Sequence, residues 1–318
     1  MERDSICVKI RGKRMEKLKV KKMKDVVLDT DPFNEVDDQF AIAYLLASDK
    51  QLNVKAIYAA PFFNVSVSSP EEGMERSYKE ILHILKLTQK ENLCSVYKGS
   101  IRYLPDDNTP IDSEAARHLV ELSKKYNKEN RLYVVAIAAI TNIASAILID
   151  PTIVDRISIV WLGCNEIGFW SSWEFNLQQD VAAARVVFKC SAPLTLLPCG
   201  GVVSHFLTTA PELHYWLDNQ NPICDYLVDT VEKYMHSVVD TPWSRVIWDV
   251  VAIACVLDDE GEEFIRKKIV KAPYYENNLT VKYPKSGKDI GYVYEIKRDE
   301  IYLDMIKKLR SYRGEYEI

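Results

Sequence analysis

The chain has 318 residues, 47% of them hydrophobic and 27% charged, which fits a soluble globular protein with one large domain or two small ones. No run approaches the roughly 20 apolar residues that a membrane helix needs, which excludes a membrane-spanning protein. The net charge of −5 conceals a local +7 in residues 1–24, which leaves −12 for the rest of the chain.

Residues 1–24 form a basic N-terminal extension, with ten Lys or Arg against three Asp or Glu. Such an arm could contact nucleic acid or an acidic surface, but it has no interleaved aromatic residues and no folded basic module. We therefore interpret it as a solvated tail, or as sequence upstream of a start at Met15 or Met23, and expect no nucleic-acid partner.

The seven cysteines form no CxxC pair, and no apolar run near the start resembles a secretion signal. A CxxC pair would indicate a metal or redox site, and a secretion signal would indicate a compartment in which disulfides form. We therefore expect reduced thiols in a cytoplasmic protein, most of them small core residues.

Short apolar runs alternate along the chain with longer segments of helical period. Strands are predicted at Val26–Asp29, Val54–Ala59, Leu132–Ala136, Ile157–Trp161 and Leu194–Leu197. Helices are predicted at Val36–Ala47, Pro70–Leu87, Ser113–Tyr126, Ile140–Ile149, Leu177–Phe188, Pro222–Val239 and Trp248–Leu257. This alternation predicts a single α/β domain over residues 25–318, with a mainly parallel, Rossmann-like central sheet flanked by helices. Ligands of such sheets bind outside the carboxyl ends of the strands.

An acidic cluster follows the first predicted strand, in the stretch VVLDTDPFNEVDDQFAIAYLLAS. It comprises Asp29, Asp31, Glu35, Asp37 and Asp38. Carboxylates held this close must either take up protons or bind a cation. Oxygen ligands without a neighbouring Cys or His suit Ca²⁺ or Mg²⁺ rather than zinc. A metal site is therefore predicted, although Asp37 and Asp38 alone would be read as residues that cap a helix and oppose its dipole.

Two other classes of protein place aspartates at the end of a strand. Phosphatases of the haloacid dehalogenase type carry a DxD pair there, which Asp29 and Asp31 imitate, but a Gly-Thr turn usually follows that pair, whereas Pro32 and Phe33 follow it here. A Ca²⁺-dependent protein that binds sugars or nucleosides without catalysis is the second alternative.

Three later stretches also place polar residues where a strand or loop passes into a helix. VVAIAAITNIASAIL has Thr141 and Asn142 at such a junction, WEFNLQQDVAAARVVF has Glu174 and Asn176 before a helix, and RVIWDVVAIA has Asp249 entering an apolar helix. Each is explained almost as well by helix capping. A carboxylate and an amide two residues apart can also grip a hydroxyl group, and a buried Asp needs a partner.

Taken together and in this order, the four stretches resemble the nucleoside hydrolase family of the inosine-uridine-preferring type. The family's signatures are a DxDPxxDD-like motif, a GPLTNxA turn, an EFNxxxDxxAA segment and an HD or WD pair. Here they read DTDPFNEVDD, AAITNIA, EFNLQQDVAAA and WD, and the ending GYVYEIKRDEIYLDMIKKL also resembles the family's last strand and helix. The resemblance spans about residues 25–313 and implies the nucleoside hydrolase fold and Ca²⁺-dependent cleavage of N-glycosidic bonds.

Carried over position by position, the resemblance implies a metal site. Asp31, Asp38, Asp249 and the backbone carbonyl of Ile137 would bind Ca²⁺. Asp31 would also be the catalytic general base that takes a proton from the attacking water. Asp29 would support these metal ligands without binding the ion itself. The ribosyl centre becomes oxocarbenium-like, which a carboxylate-rich pocket would stabilise.

The resemblance also implies a substrate site for a small-molecule nucleoside. Asp37 and Asn64 would bind ribose hydroxyl groups, and Glu174 and Asn176 would bind the 5′ side of the sugar. Trp248 stands where many members carry the His that protonates the leaving base. Relatives with Trp-Asp stack purine bases between aromatic rings, which favours a purine preference here. The alternative is an aromatic residue that only fills the core.

Other features depart from the family or stay open. Ala138 and Ala139 replace the usual Gly-Pro, and two extra residues lengthen the loop before Asp37. Asn165 is the candidate for a further ribose-binding Asn, at the wrong spacing. Stacking partners for Trp248 are sought among Phe62, Phe63, Trp170 and Trp173. As in many relatives, a homo-oligomer, either a dimer or a tetramer, is expected.

Overall fold

The computed structural model describes residues 23–258 and 263–312. Its strands are β1 (Lys24–Thr30), β2 (Leu52–Ala59), β3 (Ser95–Lys98), β4 (Leu132–Ala136), β5 (Ile157–Leu162), β6 (Leu194–Leu197), β7 (Leu207–Thr208), β8 (Arg245–Val246), β9 (Ile265–Lys271), β10 (Tyr274–Tyr275), β11 (Val281–Lys282) and β12 (Asp289–Ile296). Its α-helices are α1 (Asp38–Ala47), α2 (Pro70–Leu87), α3 (Glu114–Ser123), α4 (Thr141–Ile149), α5 (Phe175–Gln179), α6 (Val181–Lys189), α7 (Ala210–Leu217), α8 (Pro222–Val238), α9 (Val250–Leu257) and α10 (Arg298–Leu309). Apart from Met23 and Lys24, the predicted basic extension lies outside the described residues.

The central sheet has eight strands in the order β3-β2-β1-β4-β5-β6-β12-β9. Every neighbouring pair is parallel except β12 and β9, which are antiparallel. Two antiparallel pairs, β7 with β8 and β10 with β11, stand apart from it. The predicted α/β architecture with a mainly parallel sheet and flanking helices is confirmed.

The middle strands are apolar because helices cover both faces of the sheet. Successive side chains of a strand point to opposite faces, and in β1 Val26 and Leu28 pack into one apolar cluster while Val27 packs into the other. All three are fully buried. This burial holds the carboxyl end of β1 at a fixed place in the centre of the sheet.

Helices α1 and α9 pack against each other on one face of the sheet. Every residue of α9 is buried and apolar, and in α1 only Ala47 is not fully buried. Their first turns therefore lie side by side, which brings Asp38 close to Asp249 across more than 200 residues of sequence. Among the described helices, none combines the length and the apolar character that crossing a bilayer requires.

The continuous helix predicted over Leu177–Phe188 is wrong. The chain breaks at Asp180 (φ −147°, ψ 81°), which separates α5 from α6. One Asp180 carboxylate oxygen accepts a hydrogen bond from Ala183 N (2.9 Å), and the other accepts from Leu104 N (2.9 Å) and Thr141 Oγ1 (2.7 Å). These bonds offer the backbone an alternative to the helix, as an N-cap Asp does.

Two strands of the sheet carry no sequence signal that predicts them. β3 is a short edge strand that is exposed or half-buried throughout, and β9 is an edge strand rich in lysine. Edge strands need no apolar pattern on both faces, and lysine there discourages pairing with other chains. The strand and helix expected from the ending of the sequence are confirmed as β12 and α10.

Candidate active site

A cavity of about 460 Å³ opens at the carboxyl ends of the central strands. This is the edge where parallel α/β sheets bind their ligands. Eight of the ten residues predicted for the site line it, namely Asp31, Asp37, Asp38, Ile137, Glu174, Asn176, Trp248 and Asp249. Asp29 and Asn64 do not line it.

Three carboxylates converge on the cavity floor. Asp37, Asp38 and Asp249 each offer an oxygen, and these oxygens lie within 4.8 Å of one another. All three residues are buried. The convergence follows from the fold, since Asp37 and Asp38 begin α1 and Asp249 precedes α9.

Hydrogen bonds from the surrounding backbone hold this group in place. Asp38 Oδ1 accepts from Asp31 N (3.0 Å) and from the hydroxyl of Thr30. Asp37 Oδ2 accepts from Trp248 N (3.0 Å), so the start of α1 is joined directly to the segment before α9. The positions of the carboxylates are therefore set by two backbone segments that are remote in sequence.

Asp31 lies beside this group at the cavity wall. Its backbone turns with Asn34, whose N–H donates to Asp31 O (2.8 Å). Its side chain is buried, and Asp31 Oδ2 has no hydrogen-bond partner among the described residues. An unpaired carboxylate oxygen in the interior is costly unless a cation or a bound molecule completes it.

Burial is the main cause of the raised pKa values in this cluster. It raises the pKa of Asp37 and of Asp38 to about 6, and nearby carboxylates add to the increase. The pKa values of Asp31 and Asp249 are raised well above the ordinary range, first by burial and then by their acidic neighbours. So much confined negative charge calls for protons or a cation. A set of oxygen donors without Cys or His fits a hard divalent cation.

Glu174 and Asn176 also line the cavity, and backbone groups fix both side chains. Glu174 caps α5, with Oε1 accepting from Asn176 N (2.9 Å) and Oε2 from Cys164 N (2.8 Å). Asn176 Nδ2 donates to Ile137 O (3.2 Å) and Leu162 O (3.1 Å). Burial raises the pKa of Glu174, and these backbone donors oppose the increase. The Glu174 side chain therefore both caps α5 and lines the cavity.

The sequence model of the inosine-uridine preferring nucleoside hydrolase family matches residues 26–287. This chain belongs to that family. It is 27% identical over 262 residues to the pyrimidine-specific ribonucleoside hydrolase RihA of Photobacterium profundum, which covers 74% of this chain and 80% of the relative.

Two solved structures share the fold. A plant nucleoside hydrolase, PpNRh1, has a TM-score of 0.72 at 19% identity, covering 91% of this chain and 99% of the other. The purine-preferring ribonucleoside hydrolase of Gardnerella vaginalis has a TM-score of 0.70 at 21% identity, covering 90% and 98%. The predicted nucleoside hydrolase fold is thereby confirmed. The chain is an N-ribohydrolase that hydrolyses nucleosides, and the phosphatase alternative is wrong.

Asp29 lies beneath the nucleoside hydrolase cavity rather than in it. It is fully buried, and Asp29 Oδ1 accepts from Asn142 Nδ2 (2.8 Å). Asn142 Oδ1 in turn accepts from Ser100 N (2.7 Å), which ties β1 to the start of α4 and the loop after β3. Burial raises the pKa of Asp29 to about 7. The Asn142 side chain therefore joins Asp29 to Ser100, which is more than the capping of a helix would require.

Two asparagines considered for the sugar have their amides engaged in the protein. Asn64 Nδ2 donates to Asn34 Oδ1 (2.9 Å) and Asn64 Oδ1 accepts from Ser66 N (2.8 Å). Asn165 Oδ1 accepts from Gly200 N (2.8 Å), and Asn165 Nδ2 donates to Trp173 O (2.8 Å). Asn64 lies outside the cavity, whereas Asn165 lines it and fastens the loop that follows β5.

That loop brings aromatic side chains to the mouth of the cavity. Trp170 and Trp173 are 88% and 57% exposed and line the cavity together with Phe169 and the half-buried Trp248. Of the other candidate stacking partners, Phe62 is fully buried and, like Phe63, does not line the cavity. The aromatic surface facing the cavity thus comes from the segments after β5 and before α9.

Sequence reasoning missed one charged residue beside the site, Arg245. It lies in β8 and pairs with Glu35 of the acidic cluster, with Arg245 Nη2 2.5 Å from Glu35 Oε2. A single Arg four residues before Asp249 has no spacing that would single it out, and only the tertiary structure places it against the loop after β1.

Proposed function

We propose that this nucleoside hydrolase uses Ca²⁺ to cleave the N-glycosidic bond of nucleosides, with Asp31 as general base. The observation that carries the proposal is the buried carboxylate group at the cavity floor, with the unpartnered Asp31 Oδ2 beside it. Asp31, Asp38, Asp249 and the carbonyl of Ile137 would hold the ion, and all four residues line the same cavity. Asp37, which belongs to the converging group, stays assigned to a ribose hydroxyl.

Each residue has a chemical task in this proposal. When bound, Ca²⁺ supplies a Lewis acid that helps to activate water at neutral pH. Asp31 Oδ2, which has no hydrogen-bond partner among the described residues, accepts the proton of the attacking water. The remaining carboxylates stabilise the positive charge that develops on the ribosyl ring. The base leaves toward the aromatic mouth of the cavity.

The sugar would be oriented by groups that the backbone already holds rigidly. Asp37 would accept a hydrogen bond from a ribose hydroxyl, while Glu174 and Asn176 would bind the 5′ side of the sugar. Because Glu174 and Asn176 are fixed by bonds to the backbone of α5, β5 and the residue after β4, little motion is needed to bind the substrate. Asn64 does not line the cavity, although the resemblance to the family assigns it to a ribose hydroxyl.

A purine preference is proposed from the aromatic side chains at the mouth. Trp248 and either Trp170 or Trp173 would hold the larger base between them. The names of the relatives point both ways, to pyrimidines for RihA and to purines for the Gardnerella enzyme. The proposed purine preference therefore rests on the aromatic residues at the cavity mouth of this chain.

Ribose release from inosine and uridine, with and without a chelator, tests the proposal. We expect inosine to be hydrolysed faster than uridine and both activities to vanish with the chelator. Trp248→Ala should lower kcat/KM for inosine by about 3- to 10-fold, because a stacked aromatic pair contributes about 0.5–1.5 kcal/mol. The backbone N–H of Trp248 that binds Asp37 is kept in this variant.

Trp248→Phe is the matched control, since it keeps a ring at the same position and should retain most of the inosine activity. Trp170→Ala and Trp173→Ala identify the second face of the stack. Faster turnover of uridine than of inosine, with inosine hydrolysis unchanged in Trp248→Ala, would contradict the purine preference but leave the role of Asp31 standing.

A further inference from the structure

The loop between β1 and α1 is joined by an ion pair to the segment before α9. Glu35 Oε2 lies 2.5 Å from Arg245 Nη2, and the same guanidinium nitrogen lies 3.9 Å from Asp37 Oδ1. Glu35 belongs to the loop that is two residues longer than the shortest form of the motif. Glu35 of the acidic cluster thus has a cationic partner, Arg245, which the sequence pattern alone did not indicate.

Arg245 is anchored by the backbone pairing of its strand and by packing against an aromatic ring. It lies in β8, whose backbone pairs with β7 in the register Thr208↔Arg245, and Ile247 N donates to Phe206 O (3.1 Å). Its guanidinium carbon lies 5.0 Å from the ring centroid of Tyr234 on α8. Its side chain is 15% exposed. A long cationic side chain fixed in this way loses little further freedom on forming the ion pair.

The contacts made by Asp37 join the two halves of the site. One Asp37 oxygen accepts from Trp248 N, and the other faces the Arg245 guanidinium. Arg245 thereby connects the acidic loop after β1 with the segment that carries Trp248 and Asp249. Both halves must keep their relative position for Asp37, Asp38 and Asp249 to converge.

We propose that Arg245, through Glu35 and Asp37, is a positioning residue that assembles the carboxylate group and offsets its mutual repulsion until a cation binds. The inference rests on the proposed function, in which the carboxylates bind a divalent cation and Asp37 binds the ribose. Arg245 faces Glu35 and Asp37, and Asp37 converges with Asp38 and Asp249, which would bind the cation, so both positive charges reduce the repulsion within one acidic group. The contribution of Arg245 to stability should therefore be largest when the cation is absent.

Thermal unfolding of the Arg245→Gln variant tests this dependence. Compared with the parent protein, we expect the melting temperature to fall by several degrees more in chelator than in saturating Ca²⁺. A residue that only packs β8 against Tyr234 would lower both melting temperatures equally, and that result would overturn the proposal. Arg245→Lys keeps the charge but not the planar fork, and should recover part of the metal-free stability.

Kinetics separate positioning from general damage to the fold. Since Asp37 is assigned to the ribose, Arg245→Gln should raise KM for the nucleoside by about 10-fold, with a smaller change in kcat. Glu35→Gln changes a more exposed residue, so it should also raise KM more than it changes kcat, but by a smaller factor. This effect should shrink in the Arg245→Gln background. Independent, additive effects of the two substitutions would overturn the proposal.

The same experiment distinguishes this inference from the proposed function. If the parent protein releases ribose without Ca²⁺ and is not stabilised by it, the proposed metal chemistry fails. If the parent protein depends on Ca²⁺ but Arg245→Gln has unchanged KM and unchanged metal-free stability, only the positioning role fails. Calorimetric titration with Ca²⁺ alone supplies a readout that is independent of turnover.

Discussion

Replacing Asp31 by Asn should lower kcat for nucleoside hydrolysis by about 10²- to 10⁴-fold, the range that a general base contributes. The amide has nearly the same shape but cannot accept the proton of the attacking water. The bond from Asp31 N to Asp38 Oδ1 belongs to the backbone and survives the substitution. Release of free ribose from inosine in saturating Ca²⁺ measures the effect.

Stability provides a second readout of the same variant. Asp31 Oδ2 is buried without a partner, so Asp31→Asn removes a buried carboxylate from a crowded acidic group. We expect the metal-free variant to be at least as stable as the metal-free parent protein, while binding Ca²⁺ more weakly. Asp112→Asn makes the same change at an exposed site remote from the cavity and should leave kcat unaltered. An Asp31→Asn enzyme with kcat within about 3-fold of the parent would remove Asp31 from the mechanism.

The metal-free protein should become more stable as the pH falls from 7.5 to about 5. Burial raises the pKa of Asp37 and Asp38 to about 6 in the folded state, from the ordinary value of 3.8. Between these two values the folded state binds protons that the unfolded state does not, so the free energy of unfolding rises as the pH is lowered. By pH 5, one pH unit below the folded pKa values, each of the two groups contributes about 1.4 kcal/mol, so we expect a gain of about 3 kcal/mol overall.

Urea unfolding in chelator at pH 7.5, 6.5, 5.5 and 5.0 measures this gain. The matched series in saturating Ca²⁺ should be flat or should run the other way, because protons compete with the cation for the same oxygens. At pH 7.5 the cation itself should stabilise the protein by several kcal/mol. A metal-free protein that loses stability between pH 7.5 and 5.5 would show that the carboxylates are not confined together as the structure has them.

The family, the fold class and the chemical types in the site could be predicted from the sequence. Buried parallel strands are apolar on both faces, so β1, β2, β4, β5 and β6 stand out as short apolar runs. The aspartates that follow β1 are visible as a local excess of charge. Glu174, Asn176 and Asp249 stand at helix starts, which are also the places where a sheet of this kind presents side chains to a ligand.

Other features depend on contacts that no local pattern encodes. Asp180 breaks a periodic helix because Leu104 N and Thr141 Oγ1 reach it from other parts of the chain. The side chains of Asn64 and Asn165 hydrogen-bond to Asn34 and Gly200 in neighbouring loops, which no local pattern indicates. At these positions the tertiary structure supplies the hydrogen-bond partner.

The sequence by itself therefore determined which residue types surround the site and the order in which they occur, because periodicity and capping are local properties of the chain. Only the tertiary structure decided that Asp37, Asp38 and Asp249 converge and that Glu35 meets Arg245. Asp249 and Arg245 lie more than 200 positions from the residues that they meet, and the packing of α1 against α9 sets their approach. That packing depends on burying the apolar faces of both helices on one sheet, which is a property of the whole core.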